Sequence, residues 1–346
     1  MCGARTSRWW VRSMVNPRLN QLIERLGARR ILVAGDLMLD EFIWGRVSRI
    51  SPEAPVPVVE VTSESYYPGG AANAARNVRE LGAAVRVVGI AGADPQGGRL
   101  LELLAASGID TTGVLRDQAF STTVKTRIIA RHQQVTRVDR ERHATLNATQ
   151  IESILAQVEQ AIDAVDAVIV ADYGKGFLTQ PLADHIGRKV RAAGKILAVD
   201  PHPHTSLVWQ DATVIKPNRR EAFLEAGVAP SAPVEPPLED RPLLEAARRL
   251  QALWRPKSLL ITLGAQGMLL LEDDAPPRHL PAQAKDVFDV SGAGDTAISV
   301  LALALAAGAT PGEAAELANH ASAIVVGKLG TATVTAAELA GSVAQS

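Results

Sequence analysis

Residues 167–200 read AVIVADYGKGFLTQPLADHIGRKVRAAGKILAVD, and their pattern sets the fold class. Two short apolar runs, 167–171 and 196–199, enclose a segment, 182–192, in which apolar residues recur at helical spacing. Continuous apolar runs of this length indicate strands buried on both faces, and a helix between two of them predicts a parallel crossover. The stretch therefore predicts one β-α-β unit of a doubly wound α/β sheet.

The same pattern continues on both sides of this unit. Further β-branched runs lie at 31–34, 85–90, 213–215 and 259–262. Segments of helical period lie at 151–162, 243–253, 293–307 and 312–327, and two late edge strands are predicted at 267–272 and 279–283. We predict a mainly parallel, doubly wound sheet in one domain, residues 19–346, because no linker divides the pattern.

Two stretches break this rhythm. Residues 56–61 (VPVVEV) and 122–142 alternate with period two, and no helical segment intervenes within them. Such alternation predicts a small antiparallel β lid, with strands from about 44–62 and 121–142, that covers a site or joins two subunits. Because VPVVEV would leave an apolar strand uncovered, we predict a homodimer through the lid strands.

Composition narrows the class of partner. The chain has 36 Lys and Arg against 37 Asp and Glu, so no overall field attracts nucleic acid or an anionic membrane. Its longest apolar run, within 297–307, is too short to span a bilayer, and a single cysteine, Cys2, allows no intramolecular disulfide. We expect a cytoplasmic protein with small-molecule ligands.

Two segments are expected to lack fixed structure. Residues 1–18 are predicted to be a disordered N-terminal extension, with Met14 as the natural start of the chain. The Pro-rich stretch 229–242 is predicted to be a disordered surface loop.

Polar residues follow nearly every predicted strand. They include Asp36, Asp94, Asp172, Lys175, Asp200, Lys216, Asn218 and Thr262. Singly, such residues cap helices and form turns, but parallel strands bring their carboxyl ends to one edge, where ligands bind. Because they recur after many strands, we expect a ligand site along that edge of the sheet, which we call the rim.

The motif DVSGAGDT, residues 289–296, stands directly before a long apolar segment. Gly292 and Gly294 permit a tight turn, after which the first N–H groups of the helix point at an anion. Asp295 would then lie beside the anion as a base for phosphoryl transfer, or would only complement the helix dipole. The motif alone is compatible with both interpretations.

A second glycine motif, PGGAAN, spans residues 68–73. Gly69 and Gly70 would let a substrate approach the backbone while Asn73 binds a hydroxyl. A flexible turn that leads into a helix would account for the same residues. The first strand is followed by GDLMLD rather than GxGxxG, and GxxxxGK[ST] occurs nowhere. A dinucleotide dehydrogenase and a P-loop kinase are thereby disfavoured.

Taken together, GGxxN and GAGDT make residues 30–335 resemble the ribokinase-like (PfkB) carbohydrate kinases. The resemblance implies that Asp295 is the catalytic base and that the amides of Gly292, Ala293 and Gly294 form the anion hole. It also implies sugar-hydroxyl contacts for four residues: Asp36, Gly69, Gly70 and Asn73.

The nucleotide side is implied in the same way. Asn218 and Glu221, in KPNRRE, match an element that positions phosphates and the water shell of Mg²⁺, without direct metal ligation. Thr262, Gly264 and Gly267 match the nucleotide loop, and Asn319 matches a residue near adenine. ATP and Mg²⁺ are the implied cofactors.

Five segments, among them SRISPEAPVPVVEV and ADYGKGFL, are most similar to the kinases of D-glycero-β-D-manno-heptose 7-phosphate. Those enzymes make the 1,7-bisphosphate for lipopolysaccharide inner-core synthesis. Since many of them carry a nucleotidyltransferase domain and this sequence stops at Ser346, we expect a stand-alone kinase. The alternatives are another sugar or nucleoside kinase of the family, and a non-catalytic regulator that binds a sugar or nucleotide.

A phosphorylated sugar requires cations. Lys175 lies between two glycines at a strand end and is the first candidate, followed by Arg137 and Arg142. Lys125 and Arg127 share a strand face, which fits either a phosphate clamp or a solvated edge. His202 and His204 fit a metal site or, more simply, a solvated loop.

Overall fold

The computed structural model describes residues 17–130, 133–273, 275–284 and 287–345. In chain order the strands are β1 (Arg30–Gly35), β2 (Leu37–Ile50), β3 (Pro57–Gly70), β4 (Ala84–Gly92), β5 (Asp110–Asp117), β6 (Thr123–Ala130), β7 (Gln133–Arg140), β8 (Ala167–Ala171), β9 (Ile196–Asp200), β10 (Val214–Ile215), β11 (Ser258–Thr262), β12 (Met268–Glu272) and β13 (Ala275–Leu280). The helices are α1 (Pro17–Leu26), α2 (Ala71–Glu80), α3 (Pro95–Ala106), α4 (Ala148–Ile162), α5 (Gln180–Ala192), α6 (Arg219–Glu225), α7 (Arg241–Trp254), α8 (Ala293–Ala306), α9 (Pro311–Val326) and α10 (Ala336–Val343).

A nine-stranded sheet forms the centre, in the order β13-β12-β11-β10-β9-β8-β1-β4-β5. The strands from β11 to β5 pair in parallel, because crossover segments return the chain to the same end of the sheet, whereas β12 and β13 add antiparallel. The predicted doubly wound α/β sheet is confirmed.

Helices cover both faces of this sheet. Val33 packs into the cluster formed with α1, α2, α3, α8, α9 and α10, while the adjacent Leu32 packs into the cluster formed with α4 to α7. Alternate side chains of β1 therefore enter two different cores, which is why the buried strands appear as continuous apolar runs.

Helix α8 is the most deeply enclosed element near the rim. Its residues from Asp295 to Ala304 are all buried, and it packs against α2 and α9 as well as the sheet. A helix that is apolar on every side is stable only when it is covered all round. The hydroxyl of Ser299 donates to the Ala74 carbonyl at 2.9 Å, which fixes α8 against α2.

The lid is a four-stranded sheet in the order β3-β2-β6-β7. Its outer pairs are antiparallel, but the central pair, β2 with β6, is parallel. The difference from the expected antiparallel sheet arises because β2 and β6 are joined through the main sheet rather than by a hairpin. Only Asp36 separates β1 from β2, and β3 leads straight into α2.

Several local expectations change. The helix α1 begins at Pro17, so the predicted extension is two residues too long, and residues 1–16 lie outside the described residues. The loop 229–242, expected to be disordered, is held in place by Asp240. Its buried carboxylate accepts a hydrogen bond from Arg219 at 2.7 Å and caps α7 through the Leu243 N–H.

Within the described ranges, no helix is long and apolar enough to cross a membrane.

Candidate functional site

The carboxyl ends of the central strands meet at one edge of the main sheet. Gly35 of β1 pairs with Ala171 of β8, and Ala171 pairs with Asp200 of β9. The strand ends at this edge carry Asp36, Asp172, Asp200, Lys216 and Thr262. The polar residues that the sequence places after separate strands are therefore neighbours on one rim.

Asp295 lies in the first turn of α8, at this rim. One carboxylate oxygen accepts a hydrogen bond from Asn73 Nδ2 at 2.7 Å, and the other accepts from the Tyr173 hydroxyl. Asp295 is only 7% exposed, and burial raises its pKa to about 7 against the opposing effect of these two hydrogen bonds. A carboxyl group with that pKa can accept a proton near neutral pH.

The turn before α8 depends on its first glycine. Gly292 has φ 78°, and a Cβ there would lie 2.8 Å from Asn73 Nδ2. The N–H of Ala293, expected in an anion hole, donates to the Val290 carbonyl at 3.3 Å. At Gly294 a Cβ would lie 3.5 Å from Lys216 Nζ, so the bare backbone faces an ammonium group.

Lys216 is the buried cation of the site. Its Nζ lies 2.9 Å from Asp200 Oδ1, and the lysine side chain is only 3% exposed. Burial opposes the charge, but Asp200 and Glu221 outweigh it and raise the pKa of Lys216, so the group stays cationic. The sequence pattern predicts that Lys216 lies on the rim but assigns it no role. The pattern that marks Lys216 is a charged residue directly after a fully apolar strand.

Asn218 and Glu221 form a reciprocal capping box at the start of α6. The Asn218 side chain accepts from the Glu221 N–H at 2.9 Å, and Glu221 Oε2 accepts from the Asn218 N–H at 2.7 Å. Burial, reinforced by Asp200, raises the pKa of Glu221 to about 7. The box fixes both side chains at the rim, and their predicted phosphate and Mg²⁺ roles stay predictions.

Gly69 and Gly70 are the last two residues of β3, where the lid joins α2. A Cβ at Gly69 would lie 2.6 Å from Asp40 Oδ2, and one at Gly70 would lie 2.7 Å from the Asp36 carbonyl. Asp40 is buried and pairs with Arg127 Nη1 at 2.5 Å. Asp40 and Arg127 were not in the predicted set of sugar contacts, although an aspartate inside an apolar strand was a readable signal.

The carboxylate of Asp36 binds backbone N–H groups of the loop after β8. It accepts the N–H groups of Tyr173 at 2.9 Å, Lys175 at 3.1 Å and Phe177 at 3.2 Å. Asp36 therefore orients the segment after β8 and delivers Tyr173 to Asp295. The carboxylate beside Gly69 is that of Asp40, and the predicted sugar-hydroxyl contact of Asp36 stays a prediction.

The predicted phosphate cations are distributed between the loop after β8 and the lid. Lys175 Nζ lies 2.6 Å from Glu141 Oε2, and Lys125 Nζ lies 3.0 Å from Glu141 Oε1. Lys125 is on β6, an inner strand of the lid, so the solvated-edge interpretation is wrong. Arg137 pairs with Asp139 at 2.8 Å, and Asp139 lies 3.6 Å from Lys125, so Arg137 borders this cluster. Arg142 reaches the Ala119 carbonyl at 3.4 Å.

On the nucleotide side the predicted residues are tied to backbone. The Thr262 N–H donates to the Pro217 carbonyl at 3.0 Å, and Asn319 Nδ2 donates to the Pro281 carbonyl at 2.7 Å. Gly264 and Gly267 bound a single 3₁₀ turn between β11 and β12. These contacts shape the loops, and the predicted nucleotide contacts stay predictions.

Among the described residues, no group of three or more His, Cys, Asp or Glu side chains is arranged to hold a metal ion. The rings of His202 and His204 are 5.3 Å apart between centroids.

Comparison with known sequences identifies the family. The profile of "pfkB family carbohydrate kinase" matches residues 28–337. The chain is 46% identical over 311 residues to the "Bifunctional protein HldE" of Desulfatibacillum aliphaticivorans, covering 90% of this chain and 62% of that protein. It is 44% identical over 322 residues to the protein of the same name from Caulobacter vibrioides, covering 93% and 65%. The chain thus spans less than two thirds of these relatives.

Solved structures share the fold. Escherichia coli phosphofructokinase-2 in complex with potassium superposes with a TM-score of 0.72 at 18% identity, covering 92% of this chain and 98% of that one. Arabidopsis thaliana ribokinase complexed with ribose and ATP gives 0.69 at 16% identity, covering 91% and 98%.

Proposed function

This chain belongs to the pfkB family of carbohydrate kinases, and from that membership we propose that it transfers phosphate from ATP to a phosphorylated sugar. The proposed substrate is D-glycero-β-D-manno-heptose 7-phosphate, and the product is the 1,7-bisphosphate used for lipopolysaccharide inner-core synthesis. The relatives named HldE and the heptose-kinase segments support this choice over other sugars or nucleosides. We also propose that the enzyme acts in the cytoplasm, where its co-substrate ATP is present.

One observation carries the proposal. A buried carboxyl group with a pKa of about 7, Asp295, is held by two donors beside a glycine turn and a buried lysine. The anomeric hydroxyl would give its proton to Asp295 while its oxygen attacks the γ-phosphorus of ATP, and the bond from that phosphorus to the bridging oxygen would break to release ADP. A non-catalytic regulator gains nothing from a base in this position.

The residues present fit a nucleotide polyphosphate. Gly294 leaves its backbone open toward Lys216, whose charge would stabilise the transferred phosphoryl group. ATP supplies that group, and a divalent cation, Mg²⁺ in our proposal, neutralises its neighbouring oxygens. In our proposal Glu221 and Asn218 hold this cation through its bound water molecules.

We also propose that two subunits pair through their lids. The large apolar side chains of Ile50, Val56 and Val61 are 51 to 61% exposed on β2, on β3 and between them. The edge strand β3 and the adjoining end of β2 therefore carry apolar side chains that need cover, and a twofold pairing provides it.

The test is ATP turnover on a panel of sugars by the parent and by Asp295→Asn. We expect a clear preference for the heptose 7-phosphate over the same heptose without phosphate. The variant should fold and bind ATP, with kcat lower by roughly 10²- to 10⁴-fold. A parent that prefers an unphosphorylated sugar would reject the heptose assignment, and an unchanged rate in the variant would reject the base.

A further inference from the structure

Two lysines from distant parts of the chain converge on one carboxylate. Lys175, in the loop after β8, and Lys125, on lid strand β6, lie 2.6 and 3.0 Å from the two oxygens of Glu141. Each lysine side chain is only 19% exposed, and Glu141 is 31% exposed. Two partly desolvated ammonium groups therefore share a single negative charge, which leaves the cluster cationic.

The cluster lies on the lid side of the candidate site. Lys125 is paired in register with Asp40 on the parallel β2 and β6 strands, so both residues lie on the same face of the lid. Lys175 is two residues from Tyr173, whose hydroxyl contacts Asp295. A sugar whose reacting hydroxyl meets Asp295 would extend along Asp40 toward these lysines.

The charge balance favours a ligand other than a carboxylate. Asp139 lies 3.6 Å from Lys125, but it forms its own bidentate pair with Arg137. A phosphate monoester carries about −1.5 to −2 charges at neutral pH, with three acceptor oxygens, and so matches two lysines better than one carboxylate does.

We propose that Lys125 and Lys175 bind the non-reacting phosphate of the substrate, and that Glu141 occupies its place until the substrate displaces it. This inference rests on the proposed function. It adds Lys125 and the displaced carboxylate to the sugar-phosphate site, and it predicts opposite effects for neutralising the lysines and neutralising Glu141.

The first measurement is calorimetric titration with inorganic phosphate, with a non-hydrolysable ATP analogue saturating the nucleotide site. Lys125→Ala and Lys175→Ala should each weaken phosphate binding by about 10- to 100-fold, because each removes a charge-assisted hydrogen bond. Glu141→Gln should strengthen it by roughly threefold to tenfold, because the competing anion is gone.

Matched controls come from a similar cluster elsewhere. Glu159 pairs with Lys189 at 2.7 Å and His185 at 2.9 Å, between α4 and α5. Glu159→Gln and Lys189→Ala change the net charge by the same amounts, and both should leave phosphate affinity within about twofold of the parent.

Kinetics then separates this site from the proposed function. With heptose 7-phosphate, the lysine variants should raise KM for the sugar but not for ATP, and Glu141→Gln should lower it. If Glu141→Gln weakens phosphate binding, or the lysine variants match Lys189→Ala, the site is wrong even if the heptose is turned over. If the binding results hold but the heptose is not a substrate, the function fails and the anion site stands.

Discussion

The carboxyl group of Asp295 accepts a proton only when it is ionised, and burial raises its pKa to about 7. Because the pKa of this acid is raised, its active form is lost as the pH falls through that value. We predict that kcat/KM declines about tenfold per pH unit below pH ~7 and levels off above it. A rate profile with constant ionic strength measures this limb, and a flat profile would contradict it.

Tyr173 positions this base and lowers its pKa. Its hydroxyl donates to Asp295, so Tyr173→Phe removes a stabilising donor and the pKa of Asp295 should rise further. We predict that the acid limb of kcat/KM moves to higher pH while the rate at alkaline pH is largely kept.

The control for this variant is Tyr66→Phe. The Tyr66 hydroxyl donates to Glu64 at 2.8 Å on the lid. Removing this hydroxyl should leave the acid limb of the kcat/KM profile at the same pH. A uniform fall in rate without movement of the limb would show that Tyr173 only packs against the site.

At the level of elements, β3 packs closely against β2 where Gly69 pairs with Met38, and no room is left for a side chain at Gly69. A Cβ at Gly69 would lie 2.6 Å from Asp40 Oδ2 and 3.0 Å from a Met38 side-chain carbon. Gly69→Ala should therefore displace Asp40 and raise KM for the sugar roughly tenfold to a hundredfold, with KM for ATP unchanged.

Gly98→Ala is the matched substitution. Gly98 lies inside α3, where a new Cβ meets nothing within 4 Å. The change should leave kinetics unaltered and stabilise the protein by about 0.5–1 kcal/mol, measured by chemical denaturation. An equal effect of both variants on the sugar KM would exclude a specific role for Gly69.

These elements also show what could be predicted from sequence. Strands such as β8 and β9 were predictable because burial on both faces leaves an unbroken apolar run. The parallel pairing of β2 with β6 was not, since strand partners distant in sequence leave no local pattern. Likewise the glycine turn identified Asp295, but its contact with Tyr173 depends on the start of α8 and the loop after β8, which only the fold brings together.

On the scale of the whole molecule, the proposed dimer can be broken at the lid. Val61 is 56% exposed on β3, and Val61→Lys would place a charge in the proposed apolar contact. We predict that light scattering changes from a dimer to a single 36.6 kDa species. Leu253→Lys, at a 45% exposed site on α7, should leave the dimer intact. A monomeric parent at micromolar concentration would refute the pairing.

The hydrogen bond between Asn73 and Asp295 joins residues 222 positions apart, and Thr296 reaches Asn77 across 219. During synthesis at about 5–20 residues per second, α2 would wait on the order of ten to forty seconds for α8 to be made. Through that interval α2 can pack on β1, β3 and β4, but the side that faces α8, with the buried amides of Asn73 and Asn77, lacks its partner. The nascent chain should therefore depend on chaperones until its last third emerges, and no N-terminal fragment should show activity.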